Sequence, residues 1–194
     1  MRKIPTLFIR EMQDGKFLAT PKVDPECVWV LYGEGIATEK IDGSCCLVHN
    51  GAPYRRHRVK DGRKPPPGWL HWSFDPDQES GHGWVEVTSH AADQYHLEAW
   101  TKMPSTDIVE GATYELVGPA LQSNPYGYSE HRLIRHGVTL LGAPRSFAML
   151  LPYLATVKAD IEGIVWWHPD GRMAKLKRKD FGLPWPVPKG SGNG

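Results

Sequence analysis

The pattern of hydrophobic and polar positions divides the chain into short strands joined by many turns. The clearest hairpin joins Cys45–His49 to Ala52–Val59 through Asn50-Gly51, because Asn-Gly supplies the two positive-φ residues of a type I′ turn. A second hairpin is predicted for Gly163–His168 and Arg172–Lys179, where a Pro-Asp-Gly turn separates two strand-like segments. We therefore expect antiparallel strand pairs to dominate the structure.

Other segments predict a few more strands, two helices and two long loops. Further strands are predicted at Val28–Tyr32, Trp84–Val87 and Ala112–Val117. Apolar residues recur near one side of Asp93–Lys102, which predicts a short helix, and Ser146 is expected to cap a helix that reaches about Val157. Residues 61–83 and 119–130 are rich in polar and turn-forming residues and predict loops. Together these elements indicate an α+β fold.

Composition indicates a soluble globular protein, with 40% hydrophobic and 23% charged residues. Because no linker interrupts the chain, we expect one domain over residues 1–183, followed by a disordered tail over 184–194. The longest apolar runs, such as Phe147–Leu151, are too short to span a membrane, and the first residues lack the apolar core of a secretory signal. Three cysteines without a disulfide framework are typical of a reducing, cytoplasmic compartment.

Positive charge is concentrated in two short segments, although the net charge is only +1. Six of the 23 Lys and Arg residues lie in residues 55–64, and five more lie in residues 172–179. Such clusters can bind phosphates while acidic residues elsewhere balance the total charge. The alternative is a pair of solvated strand faces, and the charge pattern alone does not decide between the two.

Lys40 lies in the segment Glu39-Lys40-Ile41-Asp42-Gly43, in which a glycine follows the lysine by three positions. A lysine amine becomes nucleophilic when desolvation or neighbouring cations favour its neutral form. The glycine lets the backbone approach a bound ligand closely. Lys-x-Asp-Gly has only three fixed residues, however, so by itself it is better explained as a charged strand end followed by a turn.

Lys175 and Lys177 are two residues apart on the last predicted strand, so their ammonium groups share one face and Leu176 points to the other. Two cations on an inward face lose hydration energy unless an anion lies against them. The pair therefore suggests an anion site. The alternative is a solvated edge strand, where lysines commonly prevent association with other strands.

Two glutamates accompany apolar strands. Glu115 lies within Ala112–Val117, and Glu162 directly precedes the run that begins at Gly163. A carboxylate in such a position needs a partner, and a ribose hydroxyl or a hydrated magnesium ion would provide one. For either glutamate taken alone, a salt bridge to an arginine is the simpler explanation.

Taken together and in order, these segments resemble the covalent nucleotidyltransferase superfamily, which contains ATP-dependent DNA and RNA ligases and GTP-dependent RNA-capping enzymes. The ordered motifs of that superfamily are Lys-x-Asp-Gly, a downstream arginine, an acidic strand, Glu-Gly-(Ile/Val)-Val and Lys-x-Lys. The corresponding segments here are Lys40-Ile41-Asp42-Gly43, Arg55 or Arg56, Glu115, Glu162-Gly163-Ile164-Val165 and Lys175-Leu176-Lys177. Residues 39–46 and 64–69 look most like the small RNA ligase branch. The resemblance implies antiparallel sheets flanked by helices, with ATP between them.

The resemblance also implies a chemical role for each charged motif. Lys40 would attack the α-phosphorus of ATP, release pyrophosphate and become lysyl-AMP. Glu162 would organise Lys40 and a Mg²⁺ (or Mn²⁺) ion, while Lys175 and Lys177 would neutralise charge on the α-phosphate. AMP would then pass to an RNA 5′-phosphate, and an RNA 3′-hydroxyl would displace it and join the two ends.

Nucleotide contacts follow from the resemblance in the same way. Glu39 would read the adenine edge, and Glu115 would hold the ribose. Arg55 or Arg56 would contact ribose or an RNA phosphate, and the motif does not choose between them. Phe147 is the candidate for stacking on adenine.

Only about fifteen residues follow Lys179, so we expect no C-terminal OB-fold of the kind that DNA ligases and capping enzymes usually carry. This argues against a capping enzyme or a general DNA ligase and favours an RNA ligase. The expected partner is RNA with 5′-phosphate and 3′-hydroxyl ends. We expect a monomer without a membrane partner, and the sequence indicates no particular protein partner. The alternatives are a DNA nick-sealing ligase, an inactive RNA-binding module of the same fold, and a structural protein in which the motifs are accidental. Residues 55–64 and 61–83 are the candidate RNA-binding segments.

Overall fold

The computed structural model describes residues 4–60, 62–75, 80–158 and 160–187, with only the backbone described for 72–75. It divides the chain into two compact units. The first unit comprises Asp42–His136, and the second comprises Ile4–Ile41 together with the residues from Gly137 onward. The interpretation of residues 1–183 as one domain stays a prediction.

Antiparallel strands and a few short helices form both units, which confirms the α+β class. The strands are β1 (Phe8–Gln13), β2 (Lys16–Val23), β3 (Ile36–Lys40), β4 (Ser44–His49), β5 (Ala52–Lys60), β6 (Leu70–Asp75), β7 (Ser80–Glu86), β8 (Thr113–Val117), β9 (Arg132–Arg135), β10 (Gly163–Trp167) and β11 (Met173–Lys177). The helices are α1 (Val28–Leu31), α2 (Gln94–Thr101) and α3 (Phe147–Pro152), and a π-helical turn over Tyr153–Val157 continues α3. None of the described helices has the length and apolarity needed to cross a lipid bilayer.

The first unit contains a six-stranded sheet in the order β6-β7-β5-β4-β8-β9. The predicted hairpin at its centre is confirmed: β4 pairs with β5, and Asn50 and Gly51 adopt φ values of 51° and 70°. Helix α2 lies within the predicted segment and supplies Ala99 to a core that also contains Tyr114 and Leu116. This core holds β8, and therefore Glu115, in a defined position.

The prediction of one long loop over 61–83 is wrong for its second half. Strands β6 and β7 occupy most of residues 70–86, whereas the proline-rich part around Pro66 lies outside the sheet. Glycines in β7 concealed the strand in the sequence, but they have a steric purpose: a Cβ at Gly83 would come within 2.3 Å of Nε1 of Trp69. The indole of Trp69 packs directly on the backbone of Gly83. This packing outweighs the low strand propensity of glycine.

The second unit contains a three-stranded sheet in the order β11-β10-β3 and the separate hairpin β1-β2. The predicted second hairpin is confirmed, since β10 pairs with β11 throughout Gly163–Trp167. One face of this sheet is buried: Ile164, Trp166 and Leu176 are fully inaccessible to solvent. Helix α3 contributes Leu150 to the same core.

Two features of the second unit differ from the sequence predictions. Val28–Leu31 is helical rather than a strand, because Asp24 caps the preceding 3₁₀ turn by accepting a hydrogen bond from the amide of Glu26. The β1-β2 hairpin was missed, although Asp14-Gly15, with φ values of 48° and 78°, carries a strong hairpin signal.

The helix predicted from Ser146 is present, but no side-chain hydrogen bond from Ser146 caps it. Packed structure also extends into the segment predicted to be a disordered tail. Trp185 is 8% exposed, and the carbonyl of Pro184 accepts a hydrogen bond from Nε of Arg178. The remainder of the predicted tail, from residue 188, lies outside the described residues.

Candidate active site

Strand pairing in the second unit brings three lysines to one face of the sheet. Gly163 of β10 lies opposite Lys40 of β3 on one side and opposite Lys177 of β11 on the other. Lys175, two residues before Lys177, lies on the same face. Residue 163 must be glycine, because a Cβ there would approach the carbonyl oxygen of Leu176 to 2.1 Å. The Lys-x-Asp-Gly motif that contains Lys40 and the Lys-x-Lys motif that contains Lys177 therefore lie on either side of Gly163.

Glu162 lies at the centre of these cations. Its residue is only 3% exposed, and its carboxylate is bonded on both sides. Oε2 accepts a hydrogen bond from Nζ of Lys40 at 2.6 Å, and Oε1 lies 2.7 Å from Nζ of Lys177. A buried carboxylate needs such compensation for its lost hydration. The arrangement holds the Lys40 amine in one place.

The protonation of Lys175 is affected by its burial and by the neighbouring lysines. Burial, followed by the nearby positive charges of Lys177 and Lys40, lowers the pKa of Lys175 from 10.5 to about 8. An anion placed against the three lysines would relieve both effects. The cluster therefore has the chemical character of a binding site for a phosphate or another anion.

Glu39 and Phe147 lie on the other face of the same sheet, towards the core. Glu39 is opposite Ile164, and burial, with a contribution from Asp160, raises the pKa of its carboxyl group. The ring of Phe147 packs edge-on against Phe8 at 5.0 Å, as well as against a further phenylalanine. Phe147 therefore has a packing role, while the adenine contacts of both residues stay predictions.

In the first unit, Glu115 is fixed from two sides. Its Oε1 accepts a hydrogen bond from the amide of Gly43 at 3.0 Å, and its Oε2 lies 2.9 Å from Nε2 of His136. The preceding amide, that of Asp42, donates to the hydroxyl of Tyr126 at 2.7 Å. A Cβ at Gly43 would come within 2.1 Å of the carbonyl oxygen of Leu116, so the motif glycine allows close strand approach.

The two candidate arginines of β5 differ in their surroundings. Nε of Arg55 donates to Oδ1 of Asp93 at 2.6 Å, and Asp93 is 3% exposed. Arg56 points to the opposite face of the strand, is exposed, and lies 3.2 Å from Nδ1 of His82. Arg55 is thus engaged in a buried ion pair, whereas Arg56 is more accessible to a ligand.

Sequence reasoning missed Tyr126, His136 and Asp93. Tyr126 lies in the correctly predicted loop 119–130, but no local pattern connects it to Asp42, 84 residues away. His136 follows β9, which the sequence did not predict. An acidic residue at the start of α2 does suggest a cap, and this could have drawn attention to Asp93.

Comparison with known proteins gives one consistent result. Residues 75–191 match the family model described as RNA ligase 1. The protein named RNA ligase 1 from Danio rerio is 27% identical, over 96% of this chain and 82% of that protein. The proteins of the same name from Pongo abelii and Rattus norvegicus are also 27% identical, with the same coverage.

Proposed function

The chain belongs to the RNA ligase 1 family, and we propose that it is an ATP-dependent RNA ligase that forms a lysyl-AMP intermediate on Lys40. The observation that supports this most strongly is the bridge from Lys40 through Glu162 to Lys177, with Lys175 beside it. A solvated edge strand would not bury a carboxylate among its lysines. A nucleophile held by one carboxylate and flanked by two cations suits attack on a phosphate ester.

In the first step, Nζ of Lys40 forms a bond to the α-phosphorus of ATP as the bond to the bridging oxygen of pyrophosphate breaks. Glu162, already hydrogen-bonded to Nζ, is the group that receives a proton from the amine. Lys175 and Lys177 stabilise the negative charge that spreads over the phosphate oxygens. Because the pKa of Lys175 is lowered, its positive charge is unfavourable in the free protein, and a bound anion compensates for it.

In the next two steps, an RNA 5′-phosphate displaces Lys40 and takes up AMP, and an RNA 3′-hydroxyl then displaces AMP to form the phosphodiester. We propose that the protein is an adenylyltransferase domain of the nucleotidyltransferase fold and acts as a monomer. Arg56, Arg58 and Lys60 are exposed and alternate along β5, so they lie on one face at a strand spacing of about 7 Å. This row is our candidate for contact with RNA phosphates.

Glu115 is our candidate for holding the ribose, since its Oε2 can accept a second hydrogen bond in addition to that from His136, while Oε1 is bonded to the amide of Gly43. Glu39 and Phe147 are retained as proposed adenine contacts. Arg55 or Arg56 would contact ribose or phosphate.

Mg²⁺ or Mn²⁺ is the proposed metal cofactor, and it would supply charge neutralisation for the phosphates. Both oxygens of Glu162 already bind an ammonium group, which fits a hydrated ion contacted through water better than a directly coordinated one.

Intact mass measurement after incubation with ATP and Mg²⁺ tests this proposal. We expect one added AMP that is lost in acid, and no adduct on Lys40→Ala. Lys40→Arg is the matched control, because it keeps the charge beside Glu162 but is not a useful nucleophile. Absence of the adduct from the wild-type protein over a range of metals and pH would contradict the proposal.

Sealing assays on matched RNA and DNA nicks separate the remaining functions. Preferential joining of RNA supports the ligase proposed above, and preferential joining of DNA would identify a DNA nick-sealing enzyme. Salt-sensitive RNA binding without any AMP adduct would identify an inactive RNA-binding module.

A further inference from the structure

Cys45, Glu115 and His136 bring a thiol, a carboxylate and an imidazole together in the first unit. Their ligand atoms all lie within 4.8 Å of one another. Zinc binds these three groups at about 2.0–2.3 Å, which places the ligands of a tetrahedral site about 3.3–3.8 Å apart. Small side-chain rotations would therefore suffice to surround an ion. We propose that these residues bind a divalent transition metal of the zinc class, and that this metal and the nucleotide ribose exclude each other at Glu115.

The sheet register places two of the ligands on paired strands and the third directly after the next strand. Cys45 of β4 lies directly opposite Glu115 of β8. His136 follows β9, the next strand, and its backbone amide donates to the carbonyl of Thr113 at 3.0 Å. Cys45 and Glu115 therefore lie on paired strands, which hold side chains more precisely than loops do. The fold thus presents the three groups together without help from an ion.

Hydrogen bonds around the ligands already have the pattern of a metal site. Nδ1 of His136 lies 2.9 Å from Oγ1 of Thr113, so its other ring nitrogen, Nε2, points at Glu115. Metal-binding histidines are usually oriented by a partner on the second nitrogen in this way. The amide of Gly43 fixes the remaining oxygen of Glu115.

Metal binding would change protonation at two points. The hydrogen that lies between Nε2 of His136 and Oε2 of Glu115 moves to Nδ1 of the neutral imidazole, where Oγ1 of Thr113 accepts it, and the ion binds Nε2 and Oε2 in its place. The thiol of Cys45 releases its proton to solvent and binds as thiolate, so affinity increases with pH. No oxidation or reduction is involved.

The donor set selects against the metal that the ligase is proposed to use. Thiolate and imidazole favour Zn²⁺ or Co²⁺, whereas Mg²⁺ prefers oxygen ligands. A metal on Oε2 of Glu115 removes the oxygen that a ribose hydroxyl would use. This second part of the inference rests on the ribose role proposed above for Glu115.

Titration of the full-length protein with Co²⁺ tests the site directly. We expect a thiolate-to-metal charge-transfer band that saturates at about one equivalent. Cys45→Ser and His136→Gln should abolish it, and Thr113→Val should weaken binding by about 10- to 100-fold. Cys46→Ala is the matched control, because the thiol of Cys46 is bonded to the carbonyl of Ser44 rather than to this group. A band that survives Cys45→Ser, or no band at all, would overturn the proposal.

Inhibition of lysyl-AMP formation tests the competition with ribose. In the presence of Mg²⁺, Zn²⁺ should slow the wild-type protein, excess ATP should restore the rate, and Cys45→Ser should require at least about tenfold more Zn²⁺ for the same inhibition. Equal inhibition of both proteins would refute the competition. Failure to form lysyl-AMP without Zn²⁺ would count against the ligase proposal only, since the Co²⁺ band reports the metal site independently.

Discussion

Nζ of Lys40 lies 2.6 Å from Oε2 of Glu162, although 122 residues separate the two along the chain. The second oxygen of the same carboxylate binds Lys177, so one buried anion connects two cationic motifs. This relationship gives the first prediction.

Replacing Glu162 with Gln should destabilise the protein and prevent formation of lysyl-AMP. The substitution preserves the shape of the side chain but leaves Lys40 and Lys177 without their counter-charge. Because both lysines retain some solvent exposure, we expect a loss of about 2–3 kcal/mol in the free energy of unfolding, below the cost for a fully buried pair. Urea denaturation measures this loss. Lys177→Met, which leaves the contact to Lys40, should cost less, and an equal cost would contradict the central place of Glu162.

Lys175 should take up a proton when nucleotide binds at alkaline pH. In the free protein its pKa of about 8 leaves it largely neutral at pH 9, whereas bound phosphates favour the ammonium form. Calorimetric titration with an ATP analogue that cannot be cleaved between the α- and β-phosphates, in buffers of different ionisation enthalpy, measures the uptake. Lys175→Arg should remove it, because arginine stays charged.

The same lowered pKa has an effect on stability with a definite sign. Below pH 8 the folded protein bears the cost of a buried ammonium group, and this cost is relieved as the pH rises from about 8 towards 10.5. The stability of the wild type relative to Lys175→Met should therefore increase over that range. A difference that is independent of pH would contradict the burial of Lys175.

Replacement by alanine should reduce stability at Arg55 and RNA binding at Arg56. Arg55→Ala leaves the buried carboxylate of Asp93 without its ion pair, and we expect a loss of about 2 kcal/mol in the free energy of unfolding. Arg56→Ala removes an exposed side chain and should change stability by less than about 0.5 kcal/mol while weakening RNA binding. Thermal unfolding and an RNA-binding titration distinguish the two. Equal losses of stability would contradict the assignment.

Asp93 adds a pH dependence to this prediction. Burial opposes ionisation of Asp93, but hydrogen bonds from Thr88 and Arg55 outweigh it and hold the pKa below the usual 3.8. The stabilising effect is therefore complete above that value and is lost as the pH falls through the lower folded-state pKa. Asp93→Asn should thus differ most from the wild type near neutral pH, and the difference should shrink in acid.

Tyr126 should act as a positioning residue for the Lys-x-Asp-Gly motif. Its hydroxyl accepts the hydrogen bond of the Asp42 amide, so Tyr126→Phe leaves that amide without this acceptor. We expect lysyl-AMP formation to slow about fivefold with little change in the ATP concentration for half-maximal rate, equivalent to about 1 kcal/mol. Tyr128→Phe is the matched control, because Tyr128 bonds to Asn124 through its backbone. Similar slowing in both variants would refute the positioning role.

The sequence by itself determined the features that depend on neighbours a few residues apart. Asn50-Gly51 specified the β4-β5 turn, and alternation on β11 specified that Lys175 and Lys177 share a face opposite Leu176. These patterns are local because turn geometry and strand alternation are properties of short segments. Local preference failed at Val28–Leu31, where a cap outweighed β-branched residues, and in β7, where glycines accommodate Trp69.

Only the tertiary structure decided which distant groups meet. The pairing of β3, β10 and β11 brought Lys40 to Glu162, and the pairing of β4 and β8 brought Cys45 to Glu115. It also paired Arg55 with Asp93 and left Arg56 exposed, a difference in surroundings that the sequence around the two residues does not show. Such contacts depend on strand order and on the burial of charge among many residues, and no short segment of the chain contains that information.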